Sequence, residues 1–395
     1  MDTRYDAVII GAGPAGATIA LLLAQRGWRV AVVEKSSFPR KKVCGEFVSA
    51  TNLPLLDRLG IGAAWQADAG PEVRRVGFFS RDTVVDAPMP GAGRAGFGRA
   101  LGRDVLDQLL LQRARSAGAE IFQPWRAVAS EPRGDLRAVY IDHKDAQAVL
   151  TAPVIVAAHG SWETGKLPSQ LDKVNRPGDL LGFKAHFLGA ALPADLMPLI
   201  VFPGGYGGMV WSDRGRLSLS CCIRRDMLAR ARRTYGNLAA AEALHRHLLE
   251  SCRGVRDAIG NAALDGHWLA AGPIRPGIRS GYGDGIFRVG NIAGESHPII
   301  AEGITMAAQS AWLLASALAG VDPYDAAARE RAGAEYGKAW RRLFALRLHA
   351  AGAFAAIAIS PAGRAGMRAV IRMVPPTLTI GAALSGKTRA MPMPV

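Results

Sequence analysis

Three glycines near the start of the chain have the spacing of a phosphate-binding turn. Gly11, Gly13 and Gly16 form the pattern GxGxxG between two apolar runs, the second of which ends at Glu34. In a strand–helix–strand unit the first glycine permits a tight turn, the second admits a pyrophosphate, and the third lets helix and strand pack closely. The helix N-terminus favours phosphates, and the acid twenty-three residues after Gly11 can accept a ribose hydroxyl. The pattern predicts a dinucleotide site; the alternative is a glycine-rich turn in another kind of α/β protein.

Two later segments could complete such a site. Arg103 stands at the head of an amphipathic helix, and the glycine-rich run 283–294 leads towards the start of another helix. Together with the first turn, these motifs resemble those of the FAD-dependent oxidoreductases with the aromatic-hydroxylase fold. That superfamily includes flavin monooxygenases, flavin halogenases and geranylgeranyl reductases. The resemblance covers roughly residues 1–320, and the segment 40–46 is most similar to the geranylgeranyl reductase branch.

The resemblance implies FAD as the cofactor, held by residues from several segments of the chain. They are Gly11, Gly13, Pro14, Ala15, Gly16, Glu34, Lys35, Cys44, Gly45, Arg103, Gly290, Asn291, Glu302, Gly303 and Ile304. Arg103 is expected to reach the phosphates. The backbone around Gly303 is expected to approach the flavin, where a helix N-terminus could stabilise the anionic reduced form. Asn291 replaces the aspartate that bonds the ribityl chain in the family, so this contact lacks a charge.

Two side chains are candidates for catalysis, and each has a structural alternative. Cys44 belongs to a Cys-Gly pair that lies near the isoalloxazine ring in the reductase branch; the alternative is a buried, inert thiol. His297 could donate to a substrate oxygen or a flavin peroxide at neutral pH, or could make only a structural hydrogen bond. The expected substrate pocket consists of Tyr206, Trp211, His297 and Pro298.

The segment around Tyr206 departs from the reductase branch. Reductases have the pattern Tyr-x-Trp-x-Phe here, and Gly208 and Val210 replace its last two aromatic residues. The leading hypothesis is a monooxygenase that hydroxylates a lipophilic aromatic, polyketide- or quinone-like substrate through a flavin C4a-hydroperoxide, with NADPH or NADH as a transient electron donor. The alternatives are geranylgeranyl reductase-like reduction of isoprenoid double bonds, and a non-catalytic flavin-binding partner in a biosynthetic complex. Halogenation is disfavoured, because the Trp-x-Trp-x-Ile-Pro pattern of halogenases is absent.

The composition is that of a globular chain without a metal centre. Of 395 residues, 49% are hydrophobic, and the four cysteines show neither CxxC nor Cys/His metal spacing. We therefore expect no metal, no disulfide framework and a reducing compartment. The N-terminus enters a strand directly, without the basic region and cleavage site of a signal peptide, so we expect a cytoplasmic protein.

The elements that must position these motifs predict an α/β fold. We expect a Rossmann-type FAD-binding domain with an inserted sheet-based substrate domain and a helical C-terminal region. The FAD-binding domain takes residues 1–160, with short inserted strands near 73–97, and returns in 276–320. Short strands in 161–275 form the substrate domain, which would keep water from the flavin. Residues 321–395 form the helical, basic and apolar region.

The net charge of +15 is concentrated at the C-terminus. Residues 340–395 contain eight Lys or Arg and no Asp or Glu, together with the charge-free apolar stretch 348–363. That stretch is shorter than the roughly twenty residues needed to span a bilayer. One interpretation is peripheral association with the inner face of the membrane through 340–395; the other is a core helix followed by a solvated basic tail. The expected partner is a lipophilic small molecule and not nucleic acid, since few aromatic residues accompany the basic ones.

Overall fold

The computed structural model describes residues 2–162, 165–171 and 174–388. Its strands are β1 (Asp2–Arg4), β2 (Ala7–Ile10), β3 (Val30–Val33), β4 (Phe47–Val48), β5 (Arg75–Ser80), β6 (Thr83–Pro88), β7 (Arg99–Ala100), β8 (Glu120–Phe122), β9 (Arg126–Arg133), β10 (Leu136–His143), β11 (Ala146–Ala152), β12 (Val154–Ala157), β13 (Leu180–Leu188), β14 (Leu196–Phe202), β15 (Gly205–Trp211), β16 (Leu217–Arg224), β17 (Ala263–Leu264), β18 (Leu269–Ile274), β19 (Gly277–Ile278), β20 (Tyr282–Gly283), β21 (Ile286–Arg288) and β22 (Gly294–Glu295). Its α-helices are α1 (Pro14–Ala24), α2 (Leu53–Arg58), α3 (Gly62–Asp68), α4 (Arg103–Ser116), α5 (Arg225–Thr234), α6 (Ala240–Ser251), α7 (Arg253–Ile259), α8 (Gly303–Ala317), α9 (Ala326–Ile359), α10 (Pro361–Met373) and α11 (Thr377–Ala382). A π-helical turn at Ala383–Lys387 follows α11.

A six-stranded sheet carries the glycine turn, with the strand order β20-β21-β12-β2-β3-β8. Its strands are parallel, except that β20 forms a hairpin with β21. Every residue of β2, β3 and β12 is buried, as in parallel strands covered on both faces. The carboxyl ends of these three strands share one edge, which is where open α/β sheets bind ligands.

Helices cover one face of this sheet, and a four-stranded sheet covers the other. α1, α4 and α8 pack on the first face, with Leu21, Leu110 and Leu314 among their buried side chains. The sheet β1-β11-β10-β9 packs on the opposite face, where Leu150 and Ile155 share a core. This layered arrangement confirms the predicted α/β class.

A second large sheet follows the path β17-β13-β16-β15-β14-β5-β6, with β18 beside β13. Helices α5, α6 and α7 cover one of its faces, and the C-terminal helices pack on part of the other. Sequence alone places the hairpin β5–β6 with residues 1–160, but β5 pairs in parallel with β14 of this sheet. Phe78 and Phe79 are both buried although they point to opposite faces of β5. A strand that is apolar on both faces needs cover on both: Phe79 packs in the core under α5–α7, and Phe78 packs against the C-terminal helices.

The C-terminal region is helical, as predicted, and α9 is its longest element with 34 residues. A helix of this length extends about 51 Å. Tyr336 and Trp340 in its first half pack into the core around α8, whereas Ala355 and Ala358 pack on the second sheet. α9 therefore bridges the two sheets. By length and composition alone it is apolar enough to cross a membrane, and 28% of its most apolar window is buried inside the protein.

Candidate active site

A cavity of about 1630 Å³ joins the carboxyl edge of the parallel sheet to the second sheet and to α9, α10 and α11. Typical small-molecule sites have about 300–1,000 Å³, so this volume leaves room for a dinucleotide and a second ligand. Most of the predicted site residues line it, namely Gly11, Gly13, Pro14, Ala15, Glu34, Lys35, Cys44, Gly45, Arg103, Tyr206, Gly290, Asn291, Pro298, Gly303 and Ile304. Gly16, Trp211, His297 and Glu302 of the predicted set lie outside the lining.

The glycine turn has no space for a side chain at two of its three glycines. Gly11 has φ +104°, and a Cβ there would lie 2.7 Å from the carbonyl oxygen of Ala158, directly after β12. A Cβ at Gly16 would lie 1.8 Å from the carbonyl oxygen of Gly11, so α1 packs directly on the turn. A Cβ at Gly13 would meet only the Arg103 side chain, at 3.6 Å. The fold therefore needs the first and third glycines, whereas the second keeps a surface clear at the cavity.

α1 presents an uncapped N-terminus to this cavity. Gly13 is its N-cap, Pro14 is its first residue, and no side chain caps it. Pro14 and Ala15 line the cavity, so the amides of the first turn are available to an anion that the helix dipole also favours. This combination of a cleared surface and unpaired amides fits the pyrophosphate of FAD.

Glu34 is fixed at the end of β3, beside the glycine turn. Its Oε2 accepts from the Ala12 amide and its Oε1 from the Ser36 amide, both at 2.9 Å. The guanidinium of Arg40 lies 3.5 Å from Oε2. Each carboxylate oxygen has a second lone pair, so Glu34 fits its predicted role as an acceptor for a ribose hydroxyl. Lys35 is exposed at the cavity rim next to it.

Arg103 reaches from the start of α4 towards the glycine turn. Its Nε and Nη2 donate to the Asp107 carboxylate at 2.7 and 2.8 Å. Burial alone would lower the pKa of Arg103, but Asp107 and the adjacent Cys44 raise it, so the guanidinium stays charged. Arg103 therefore lies beside both Gly13 and Cys44, as a fixed positive charge between two parts of the predicted cofactor site.

The basic segment 40–42 lines the cavity, with Arg40 and Lys42 partly buried and Lys41 exposed. Arg40 lies 3.6 Å from Asp107, and the Lys42 ammonium lies 5.6 Å from the centre of the Trp162 ring. Burial, together with the charges of Arg40 and Arg103, lowers the pKa of Lys42 to about 8. These cations repel one another, so an anion bound in the cavity would stabilise the group.

An ionic cluster next to Cys44 connects the cavity wall to the second sheet. Glu46 has φ +62° and is 1% exposed. Its carboxylate pairs with Lys184 and is hydrogen-bonded to His186 at 2.9 Å, and both partners lie on β13. Burial alone would raise the pKa of Glu46, but His186 and Lys184 lower it well below its ordinary value. Sequence reasoning missed this cluster, because 140 residues separate Glu46 from His186 and no local motif connects them.

A buried carboxylate lies close to the position where the family's aspartate is replaced. Asn291 Nδ2 donates to Glu295 Oε1 at 3.2 Å, so the Asn291 side-chain oxygen is the atom that could accept from a cofactor hydroxyl. Glu295 lines the cavity and also accepts from Ser161 Oγ at 2.8 Å and Trp162 Nε1 at 3.0 Å. A negative charge is thus retained four residues after Asn291, and sequence reasoning missed it.

α8 begins at the cavity, but the Glu302 side chain points away from it. Gly303 and Ile304 line the cavity, and no side chain caps this helix. The fully buried Glu302 pairs through Oε1 with Lys387 Nζ at 3.1 Å, and Lys387 also donates to the Ile300 carbonyl at 2.6 Å. The α8 amides remain available to a flavin, whereas the Glu302 carboxylate anchors the C-terminal turn.

Tyr206 and His297 form a hydrogen-bonded pair at the cavity wall. The Tyr206 hydroxyl lies 3.0 Å from His297 Nδ1, and Tyr206 is the member that lines the cavity. Burial raises the pKa of Tyr206 well above its ordinary value and lowers the pKa of His297 to about 4. His297 is therefore neutral near pH 7 and lies behind Tyr206, where a ligand in the cavity would reach it only through the tyrosine.

Trp211 does not line the cavity, contrary to the sequence prediction. Its indole Nε1 donates to the Leu192 carbonyl at 2.9 Å, and its ring packs with Met209 against the core under α5–α7. The reason is strand alternation: Trp211 is five positions from Tyr206 on β15, so their side chains point to opposite faces of the sheet.

The comparison with known families agrees with this geometry. A family described as the FAD binding domain matches residues 4–336. The chain belongs to this FAD-binding family. This membership agrees with the resemblance of the motifs, which implies FAD as the cofactor.

Its curated relatives include two kinds of reductase. The menaquinone reductase of Mycolicibacterium smegmatis is 33% identical over 159 residues, which are 40% of this chain and 38% of that protein. Digeranylgeranylglycerophospholipid reductase 2 of Methanopyrus kandleri is 26% identical over 310 residues, which are 76% of this chain and 73% of that protein. The chain thus matches about two fifths of the menaquinone reductase and about three quarters of the archaeal enzyme.

Solved structures with the same fold have different activities. The myxobacterial chondrochloren halogenase CndH has a TM-score of 0.74 at 20% identity, covering 87% of this chain and 80% of that chain. Pseudomonas aeruginosa PqsL, assigned as an FAD-dependent monooxygenase, has a TM-score of 0.69 at 20% identity, with coverage of 92% and 99%. A geranylgeranyl bacteriochlorophyll reductase-like protein of Thermoplasma acidophilum has a TM-score of 0.67 at 17% identity, with coverage of 99% and 94%. At these identities the likeness shows the fold alone.

Proposed function

We propose that this FAD-binding protein is an oxidoreductase, specifically a monooxygenase that hydroxylates a lipophilic aromatic compound with NADPH or NADH as electron donor. The observation that carries the proposal is the cavity, which continues from the dinucleotide turn into a chamber with apolar walls. The chamber walls include Met197, Leu199, Val210, Ile299, Met367, Ile371 and Leu378. Such walls bind an apolar ring and keep water away from the reacting atoms.

The chamber has room for a ring where prenyl reductases carry bulky aromatic side chains. Tyr206, Gly208 and Val210 alternate along β15, so they share a face, and all three line the cavity. Gly208 leaves the space between its two neighbours without a side chain. This supports a substrate that is wider than a single isoprenoid chain.

Tyr206 and His297 provide a path for a phenolic proton. A substrate hydroxyl that donates to the Tyr206 oxygen would let Tyr206 donate to His297 Nδ1, which is neutral and able to accept. A phenolic proton shared along this hydrogen-bonded chain leaves the ring more electron-rich, and such a ring reacts more readily with an activated oxygen atom. FAD, when bound, supplies the electron transfer to dioxygen. In the whole reaction an aromatic C–H, dioxygen, NAD(P)H and a proton give an aromatic C–OH, water and NAD(P)⁺.

Reduction of isoprenoid double bonds is the second candidate. Cys44 and Gly45 line the cavity, and this pair supports the resemblance to the reductase branch. The relative from Methanopyrus kandleri aligns over 76% of the chain, which supports the same candidate. In that reaction NAD(P)H would deliver a hydride and the site a proton across the double bond.

The two candidates differ in their need for oxygen. We would incubate the purified, FAD-loaded protein with NADPH or NADH and a long-chain alkylphenol, in air and under anaerobic conditions, and analyse products by mass spectrometry. The proposal expects one oxygen atom from isotope-labelled dioxygen in the product, and no product without oxygen. Anaerobic addition of hydrogen to a prenylated substrate, with no oxygen incorporation, would favour the reductase. A flavin that stays oxidised with both donors would contradict both.

A further inference from the structure

The cavity opens to solvent among the C-terminal helices. Phe354 of α9, Val370 of α10 and Leu384 of the π-helical turn line the cavity and are 37%, 47% and 77% exposed. Ala350 and Gly381 also line it and are exposed. A side chain that is exposed and also lines the cavity stands at an opening, so this opening has an apolar rim.

An apolar surface extends outwards from this rim. We call it the apolar lip, and its members are Leu346, Phe354, Ile357, Val370, Met373, Val374, Ile380 and Leu384. These eight are the majority of the thirteen exposed large hydrophobic side chains among the described residues, although they fall within the short span 346–384. On α9, Leu346, Ala350, Phe354 and Ile357 follow helical spacing and form one stripe. Exposed apolar side chains concentrated in one part of a protein mark a contact with a membrane or a partner.

The charges around the apolar lip are basic. Arg364, Arg368 and Arg372 recur every four positions and therefore share one side of α10. Partial burial, with the charges of Arg368 and Arg81, lowers the pKa of Arg364, as in a cluster of cations that repel one another. The span 340–395 has no Asp or Glu. Long basic side chains beside apolar ones suit the headgroups and outer acyl region of an anionic bilayer.

α9 is fixed along the body of the protein and is not free to cross a bilayer. Tyr336, Trp340 and Phe344 in its first half are at most 1% exposed and belong to the core around α8. The ion pair between Lys387 and Glu302 holds the π-helical turn after α11 against the start of α8. The apolar lip is therefore held at the surface of the folded protein, around the opening of the cavity.

We propose that the apolar lip docks on an anionic lipid bilayer and that the opening between α9, α10 and the π-helical turn is a portal for substrate. A lipophilic molecule would pass from the bilayer into the chamber without crossing water. This inference rests on the proposed function only for the lipophilic character of the substrate. A protein partner on this face would cover the opening, whereas a bilayer supplies the ligand through it.

Vesicle binding tests the docking. The holoenzyme is floated with phosphatidylcholine vesicles that contain or lack phosphatidylglycerol, at low and high salt. The lip variant carries Leu346→Asn, Met373→Asn and Ile380→Asn, and the matched control carries Val174→Asn, Leu188→Asn and Leu264→Asn. None of the three substituted lip residues lines the cavity. We expect salt-sensitive binding to the phosphatidylglycerol vesicles by the wild type and the control, and loss of binding by the lip variant.

Two double variants test the contribution of the α10 arginines to vesicle binding in the same assay. Arg368→Gln with Arg372→Gln is compared with Arg230→Gln and Arg233→Gln on α5, which remove equal charge elsewhere. Because each basic residue near an anionic leaflet strengthens binding about fivefold, the first pair should weaken it about 25-fold and the second should leave it unchanged. Equal binding by all variants would overturn the proposal. So would size-exclusion chromatography showing a dimer that the lip variant loses, with no vesicle binding.

A spectral readout separates the portal from the reaction. A long-chain quinone that binds in the chamber should perturb the absorption of the bound flavin without turnover. Delivered in vesicles, it should shift the wild-type spectrum quickly and that of the lip variant at least about tenfold more slowly; delivered in detergent, it should shift both alike. Equal rates from vesicles would overturn the portal. A normal spectral shift with no oxygenated product would instead reject the monooxygenase proposal and leave the portal standing.

Discussion

Gly13→Ala should separate binding of the cofactor from formation of the fold. Gly13 has φ −69° and ψ −176°, which alanine adopts without strain, and the new Cβ would make an ordinary 3.6 Å contact with Arg103. Replacing a glycine at such a position reduces the freedom of the unfolded chain. The FAD-free variant should therefore be as stable as the wild type or more stable by about 0.5 kcal/mol.

The same methyl group should weaken FAD binding strongly. It would stand where the pyrophosphate approaches the first turn of α1 and would move the phosphates away from its amides. Loss of one such charge-assisted hydrogen bond costs about 1.5–3 kcal/mol, so Kd should rise about 10- to 150-fold. FAD titration of the apoprotein, followed by flavin fluorescence and by calorimetry, measures Kd, and denaturant unfolding of the same preparation measures stability.

Two other glycines are the controls for this prediction. Gly337→Ala on α9 meets nothing within 4 Å and should leave Kd unchanged. Gly16→Ala would place a Cβ 1.8 Å from the Gly11 carbonyl oxygen and should prevent normal folding. If Gly13→Ala folds and binds FAD within about twofold of the wild type, the pyrophosphate does not lie against Gly13, and the reasoning about this turn is wrong.

Three further predictions concern the cavity wall. The pKa of Lys42 is 10.5 in the unfolded chain and about 8 in the folded protein, so the unfolded chain binds more protons between these values and the stability of the apoprotein should rise with pH across that window. Lys42→Met should raise the stability at neutral pH by about 2–3 kcal/mol, remove this rise and weaken FAD binding, as measured by denaturant unfolding at several pH values and by FAD titration. Glu46→Gln leaves the Lys184 ammonium buried without its carboxylate and should lower the free energy of unfolding in guanidinium by about 3–5 kcal/mol. Adding Lys184→Met should restore part of this loss, whereas additive losses in the double variant would contradict the pairing. Tyr206→Phe should keep FAD bound but lower the rate of product formation about 100-fold or more, as followed by product analysis, and an unchanged rate would exclude Tyr206 from the proton path.

The parts of the site that sequence predicts well are those set by neighbouring residues. The glycine turn depends on three positions within six residues and on the strand before it, and its geometry in the structure fits the spacing argument. Arg103 is also local, because it needs only to begin a helix whose next turn supplies Asp107. The placement of these residues at the cavity agrees with expectation, and their contacts with FAD stay predictions.

The parts that sequence does not predict depend on register and on distant pairing. Trp211 and Tyr206 are close in the chain, yet the side on which each lies is settled by the pairing of β15 with β14 and β16. Glu46 finds Lys184 only because β13 is placed next to the loop before β4, which no local pattern specifies. Glu295 is not predicted for a different reason: the family's aspartate position corresponds to Asn291, and the carboxylate lies four residues later, on β22.

The C-terminal region shows why composition alone left two interpretations open. A core helix and a membrane-binding helix are competing explanations of one apolar sequence, but α9 has one apolar side that packs in the core and another that is exposed. Phe344, Leu348 and Ala351 are buried, whereas Leu346, Ala350 and Phe354 are exposed. Because both sides of such a helix are apolar, the periodicity of its sequence cannot show which side contacts the protein. The packing of α9 against the two sheets decides that question, and it leaves the second stripe at the cavity opening, where burial within this chain does not account for it.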